Sequence, residues 1–220
     1  MNYFSHGYQY LDRPEFLIGT AMPDLLSVAD RKVRLRSKRV EPFADGTKTP
    51  EAEFAAGVLQ HLYDDQWFHR SDAFMNVTEL LGSWFRAALP SDEGYRPGFL
   101  GHIVMELLLD GELIRRHPEK LAEYYRVLDS IDPVWVESRI NAMARESTNR
   151  VAPLLPLFLQ ERFLWDYLDG EKLLARLNQV MRRIKLNALP ESLIEVLERG
   201  RQLVASHADE LLTEQTLPAT

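Results

Sequence analysis

Histidine and carboxylate residues at helical spacing are the most chemically suggestive feature of this 220-residue sequence. His61, Asp65 and His69 occur at i, i+4 and i+8 within GVLQHLYDDQWFH, and His102 and Glu106 repeat the i, i+4 spacing within GHIVMELLLDG. Residues four apart share one face of a helix. Each set can therefore present its side chains to one metal ion from consecutive turns.

Two further candidates lie nearer the start of the sequence, His6 in MNYFSH and Asp24 in GTAMPD. Four of the six histidines thus belong to the candidate set. The helix around His102 and Glu106 is otherwise very apolar, and buried ionisable groups are normally paired or bound to metal. The alternative is that these two residues simply hydrogen-bond to each other or to backbone.

The residue types available as ligands limit which metal ions the site could bind. Without cysteine, a site must use imidazole and carboxylate, which suits zinc, iron, manganese or nickel better than calcium or magnesium. Seven candidate residues exceed the needs of one ion, so one to three ions are expected. Two metals with a bridging carboxylate, for which Asp65 or Asp24 is suited, favour phosphoester hydrolysis by metal-activated water. His69 is then either a ligand or the acid that protonates the leaving oxygen.

At these residues the sequence resembles the bacterial acyl-carrier-protein phosphodiesterases, which belong broadly with HD-type metal-dependent phosphohydrolases. The matching segments are MNYFSH, FLIGTAMPDLL and GVLQHLYDD, together with the C-terminal stretch FLQERFLWDYLDGEKLLARLNQVMRRI. The best matched positions are His6, Asp24, His61 and Asp65. The resemblance covers most of the chain and implies a phosphopantetheinyl carrier protein as partner. Where that family has two acidic residues four apart, this chain has His102 and Glu106.

The same residues are also similar to the zinc-dependent phospholipases C. Those proteins share an apolar stretch ending in Pro-Asp, a His-x-x-x-Asp helix with a further histidine, and a later His-x-x-x-Glu pair. This chain has no histidine between Asp24 and His61, where that group has a ligand. The resemblance implies metal binding by His6, Asp24, His61, Asp65, His102 and Glu106, and a phospholipid headgroup as an alternative substrate.

A basic run, RKVRLRSKR, follows Asp24 closely. Arg31 and Arg34 in this run are candidates for contact with a phosphate or an acidic partner, because the guanidinium fork matches phosphate oxygens. The alternative is a solvated basic face with salt bridges to an acidic surface. Asp64, beside Asp65, is expected to point away from the metal-binding stripe, because adjacent helical residues diverge by about 100°.

Composition and periodicity indicate the fold class. The 26 basic and 33 acidic residues give a net charge of −7, which argues against a general nucleic-acid binder. No apolar run approaches the roughly 20 residues of a membrane span, and the first residues do not have the pattern of a signal peptide. We therefore expect a cytoplasmic protein without a transmembrane segment. Helical periodicity predicts an all-α bundle of seven or eight helices in a single domain, 1–220, with a frayed tail at 213–220.

Several helix limits can be predicted. Residues 15–29 form a helix that breaks or restarts at Pro23. Thr49–Pro50 begins a helix that runs to about Arg70. Further helices are expected over the following ranges: 98–115, 132–147, 157–168, from 169 onward, and 191–213.

The hypothesis that joins these features is a metal-dependent phosphoesterase in which Asp65 and His69 act in catalysis. Two alternatives stay open. One is a helical di-iron bundle, in which the metal is structural or redox-active. The other is a helical interaction protein without hydrolase activity, whose polar residues are merely paired in the core.

Overall fold

The computed structural model describes residues 1–91 and 94–214, and every regular element in these ranges is helical. The all-α prediction is confirmed, but eleven α-helices and three 3-10 helices exceed the seven or eight predicted. The α-helices are α1 Tyr3–Gly7, α2 Pro14–Ala29, α3 Ser37–Val40, α4 Pro50–Phe68, α5 Asp72–Ala88, α6 Pro97–Arg116, α7 Pro118–Asp129, α8 Pro133–Met143, α9 Val151–Glu161, α10 Gly170–Arg183 and α11 Ile194–Leu211. The 3-10 helices are Glu41–Phe43, Phe163–Leu168 and Glu191–Leu193.

Helix starts marked by a capping residue are where predicted. The hydroxyl of Thr49 accepts a hydrogen bond from the backbone N–H of Ala52 at 3.3 Å, and α4 begins at Pro50. The carboxylates of Asp132 and Asp169 cap α8 and α10 in the same way. These side chains satisfy N–H groups that have no partner within the helix.

Helix interruptions by proline were predicted wrongly. α2 continues through Pro23, because one missing donor is a small loss in a helix whose apolar residues are buried on both sides of the proline, from Phe16 to Leu26. α9 likewise contains Pro156 and ends at Glu161. The helix predicted over 157–168 is therefore divided between the end of α9 and the 3-10 helix Phe163–Leu168.

Two long helices, α5 and α7, lie outside the predicted set. α5 begins at the capping side chain of Ser71, which accepts from the N–H of Phe74 at 3.2 Å. Its buried Val77, Leu81 and Phe85 recur every four residues, the pattern of a helix with one apolar face.

The chain forms two compact units, Met1–Gln66 with His117–Phe163, and Trp67–Arg116 with the chain from Leu164 onward. The single-domain organisation stays a prediction. In the first unit, α2 and α4 approach at Gly19 and Gly57. A Cβ at Gly57 would overlap the carbonyl oxygen of Phe16, and one at Gly19 would overlap that of Phe54. Only glycine permits this backbone contact.

The second unit has a comparable crossing of α5 and α6 at Gly82 and Gly101. A Cβ at Gly101 would lie 2.5 Å from the carbonyl oxygen of Thr78 and 2.7 Å from the nitrogen of Gly82. The apolar faces of α5, α6 and α11 supply buried side chains to this unit, including Leu81, Leu108 and Val204.

Among the described helices, none is both long and apolar enough to cross a membrane. α11 ends at Leu211. Most of the tail predicted to be frayed, residues 215–220, lies outside the described residues, as do residues 92 and 93.

Candidate metal centre

Three predicted ligands, His6, His61 and Asp65, converge in the first unit and form what we term the first ligand group. One candidate ligand atom from each lies within 4.8 Å of the others. The Nε2 atom of His6 is 3.3 Å from Oδ1 of Asp65, and Nε2 of His61 is 3.4 Å from Oδ2. The two oxygens of one carboxylate therefore face two different imidazoles.

The crossing of α2 and α4 fixes the orientation of His61. Thr20 follows Gly19, and its carbonyl oxygen lies 2.8 Å from Nδ1 of His61. Because a carbonyl can only accept, the proton of the neutral imidazole is on Nδ1. The lone pair of Nε2 then points toward Asp65, which is the orientation of a metal-binding histidine whose other nitrogen is held by hydrogen bonding.

His6 is held by a carboxylate instead of a carbonyl. Its Nδ1 lies 3.2 Å from Oδ2 of Asp64, and the amide of Gln60 donates to Oδ1 of Asp64 at 2.8 Å. Asp64 was expected to point away from the site. It does diverge from the stripe of His61, but α1 brings His6 to that side of α4.

Charge and burial at the first ligand group are unusual. His6 is 1% exposed, and its buried Nε2 has no hydrogen-bond partner in the described part of the chain. Burial lowers the pKa of His6, but the neighbouring carboxylates of Asp64 and Asp65 outweigh burial, so the pKa is raised overall. Burial conversely raises the pKa of Asp65, while its contacts with His6, His61 and the Met1 ammonium bring it well below the usual range. The Met1 amino group also donates to Oδ1 of Asp65, at 3.1 Å.

The imidazoles of His6 and His61 stack, with ring centroids 3.8 Å apart and planes inclined by 27°. Two cationic rings would repel each other in this arrangement. The stack therefore favours a state in which one or both rings are neutral and offer a lone pair.

A second ligand group, His69, His102 and Glu106, lies in the second unit. Oε1 of Glu106 is 2.9 Å from Nε2 of His69 and 3.4 Å from Nε2 of His102. The ring of Phe74 lies against both imidazoles, at centroid distances of 4.9 and 5.0 Å. Burial raises the pKa of Glu106, but hydrogen bonds from His102 and His69 contribute to a pKa well below its usual range.

His69 was expected to continue the stripe of His61 and Asp65. α4 ends at Phe68, however, so His69 lies beyond the last helical residue and is grouped with α6. Asp24 is half-buried on α2 and belongs to neither group within the described residues, so its ligand role stays a prediction. Arg31 and Arg34 are exposed.

Three positioning groups were missed from the sequence: Asp64, Gln60 and the carbonyl of Thr20. The spacing of Gln60 and Asp64, four residues apart on α4, is a signal for their pairing. The contact of the Thr20 carbonyl with His61 could not be predicted from side-chain types, because it is made by the backbone. Comparison with protein-family models, with curated proteins and with solved structures finds no match.

Proposed function

We propose that this chain is a metal-dependent phosphoesterase. Its first metal ion is bound by His6, His61 and Asp65, and a second by His69, His102 and Glu106. The supporting observation is the buried Nε2 of His6, which lies 3.3 Å from a carboxylate oxygen of Asp65 and makes no hydrogen bond with the residues that the structure describes. Nδ1 of the same ring is already engaged by Asp64.

The protonation pattern fits a metal. With both Nδ1 atoms donating, the first group directs two nitrogen lone pairs toward a carboxylate, an arrangement that a nearby cation stabilises. In the metal-free chain the Met1 ammonium on Oδ1 of Asp65 and a proton on His6, whose pKa is raised, supply part of that charge. A divalent ion would accept a lone pair from each of the three ligand atoms at once and balance the carboxylate charge.

The donor set favours zinc, iron or manganese. Each group combines two imidazoles with one carboxylate, a mixture suited to transition metals, and each leaves coordination positions for water and substrate. When bound, such ions lower the pKa of water and neutralise phosphoryl oxygens. Asp65 presents each of its oxygens to a different histidine of the first group, and Asp24 is a further candidate ligand.

The role of His69 follows from its contact with Glu106. Because His69 and His102 contact the same carboxylate oxygen, the proposal takes His69 as a ligand. The alternative role, protonation of the leaving oxygen, requires His69 to leave Glu106. For the substrate, a phosphopantetheinyl carrier protein and a phospholipid headgroup are both retained within the proposal, through the family resemblances.

A redox iron protein is the second candidate. Two histidines and one carboxylate are also the ligand set of iron(II) enzymes that activate oxygen. By contrast, ferritin-like di-iron bundles are richer in carboxylate. An absorption band that develops on anaerobic iron loading and exposure to air, without phosphoester turnover, would favour this candidate.

The test combines metal analysis with turnover. Protein purified without chelator is analysed for metal per chain, then assayed with bis(p-nitrophenyl) phosphate and p-nitrophenyl phosphate after loading with zinc, iron or manganese. We expect His61→Ala and the gentler Asp65→Asn to lose metal and at least 100-fold in activity, as is typical when a group contacting the reacting atoms is removed.

The matched control is His117→Ala, which removes a half-exposed histidine outside both ligand groups and should leave metal and activity unchanged. A wild-type chain that binds no transition metal would overturn the proposal. So would full metal and activity in Asp65→Asn.

A further inference from the structure

We propose that residues 28–43 form a docking surface for a membrane rich in anionic phospholipid. We call this segment the basic strap. It runs from Val28 near the end of α2 to Phe43 and contains six basic and two acidic residues. The inference goes beyond the proposed function and does not depend on the metal centre.

The six basic side chains of the strap are exposed. None of them makes an ion pair or a side-chain hydrogen bond with any residue in the described ranges, although the protein carries a net charge of −7. They are Arg31, Lys32, Arg34, Arg36, Lys38 and Arg39. The alternative considered from the sequence was a solvated basic face with salt bridges to an acidic surface. The basic face is exposed, but the described residues form no such salt bridges with it. Like charges packed this densely repel one another, and an anionic partner relieves that repulsion.

The strap is fixed in place. Val33, Leu35 and Val40 are 1%, 6% and 0% exposed and anchor it in the first unit. Its beginning is held by Asp30, which accepts from Thr148 at 3.2 Å and lies 3.9 Å from Arg150. The charges are thus presented by an ordered backbone, which lowers the entropy lost on binding.

Alternation along the strap directs the charges outward. The exposed side chains of Arg34 and Arg36 alternate with the buried side chains of Val33 and Leu35, and the exposed Lys32 precedes them in the turn that follows α2. In extended backbone such residues share one side and lie about 6.5–7 Å apart. Lys38 and Arg39 on α3 extend the same cationic surface.

In the strap, apolar side chains lie outside a central group of basic residues, whereas in many interfaces charged residues surround an apolar centre. Val28 and Phe43 are 42% and 37% exposed, one at each end of the strap. A protein interface normally has an apolar centre and a polar rim. A peripheral membrane site instead places basic groups on headgroup phosphates, with nearby apolar side chains entering the acyl boundary. The strap has this second arrangement.

Vesicle binding by the 220-residue chain tests the proposal. Sedimentation is measured with phosphatidylcholine vesicles, with and without phosphatidylserine, at low and physiological salt. A Lys or Arg near an anionic surface strengthens binding by a factor of about five. The variant Arg34→Gln/Arg36→Gln/Lys38→Gln should therefore bind phosphatidylserine vesicles about 100-fold more weakly.

The matched control carries the same charge change on α10, Lys172→Gln/Arg182→Gln/Arg183→Gln, and should bind within about twofold of wild type. Phe43→Ser should weaken vesicle binding several-fold. Val134→Ser, which makes the same kind of change at an exposed apolar side chain of the first unit outside the strap, should not. Unfolding curves of the strap, α10 and Val134→Ser variants should overlay that of wild type, because the changed side chains are exposed. Phe43→Ser should still unfold cooperatively above the temperature of the vesicle assay.

Three results would overturn the proposal. One is equal wild-type binding to vesicles with and without phosphatidylserine, and another is equal loss in the strap and α10 variants. The third is a wild-type chain that binds neither kind of vesicle but is retained on polyglutamate, with that retention lost in the strap variant. This result would indicate that the strap binds an acidic protein.

Discussion

The two ligand groups have the same composition but opposite environments. In the first group, the histidine side chains are 0% and 2% exposed and Asp65 is 32% exposed. In the second, His69 and His102 are 33% and 42% exposed and Glu106 is 15% exposed. The imidazoles are thus the buried members of one group and the solvated members of the other.

Their supporting contacts differ in the same sense. Each histidine of the first group has its Nδ1 held, by the Thr20 carbonyl or by Asp64. In the described part of the chain, the polar contacts of His69 and His102 go to Glu106. Orientation before binding raises metal affinity, so we expect the first group to bind more tightly and to contribute more to stability.

The largest expected difference concerns stability without metal. His61→Ala leaves the buried Thr20 carbonyl without its donor and creates a cavity, which should lower the free energy of unfolding by roughly 2–4 kcal/mol. His102→Ala removes a side chain that is 42% exposed, and should change it by no more than about 0.5 kcal/mol. Chemical denaturation in the presence of chelator measures both. Equal losses of unfolding free energy in the two variants would show that the two ligand groups do not differ in their contribution to stability.

A smaller effect is expected at Asp64. Asp64→Asn weakens the hold on His6 while leaving all three ligands in place, so metal affinity of the first group should fall about 10–100-fold. Competition with a chromophoric chelator, in a Glu106→Gln background that disables the second group, gives this affinity. Asp45→Asn, at an exposed aspartate of the same unit, is the matched control. An unchanged affinity in Asp64→Asn would show that the contact does not position the ligand.

The smallest effect is the pH dependence of the metal-free chain. The pKa of His6 in the folded chain is raised above 6.5. The contribution of His6 to the free energy of unfolding is therefore complete below pH 6.5 and is lost as the pH rises through this raised pKa. The depressed pKa of Asp65 acts oppositely, so its contribution is present above about 3.8 and is lost on acidification. In the second group, the depressed pKa of Glu106 likewise gives a contribution to stability that is lost on acidification.

Unfolding free energies measured in chelator from pH 4 to 9 should therefore decline on the alkaline side in wild type. In His6→Asn that decline should be reduced, whereas in Glu106→Gln it should persist. An alkaline decline that is unchanged in His6→Asn would remove the electrostatic distinction between the groups.

The i, i+4 spacings of His61 with Asp65 and of His102 with Glu106 were sufficient to predict which side chains pair, because helix geometry is local. The third residue of each ligand group, which joins the helical pair, could not be predicted from spacing. His6 reaches Asp65 through the packing of α1, and His69 joins Glu106 because α4 ends one residue earlier. Pro23 was misjudged for a related reason, since tertiary burial outweighed a local preference. Thr20 acts through its backbone, which residue type does not reveal.

The stacking of His6 on His61 gives the first group a spectroscopic signature. Each imidazole lies within the ring current of the other at 3.8 Å, so the carbon-bound protons of both rings are displaced from the resonances of an isolated histidine. Any ion that enters between these nitrogens and Asp65 perturbs the two rings together. The histidine region of a proton spectrum can thus report on occupancy of this group, even for a metal without colour.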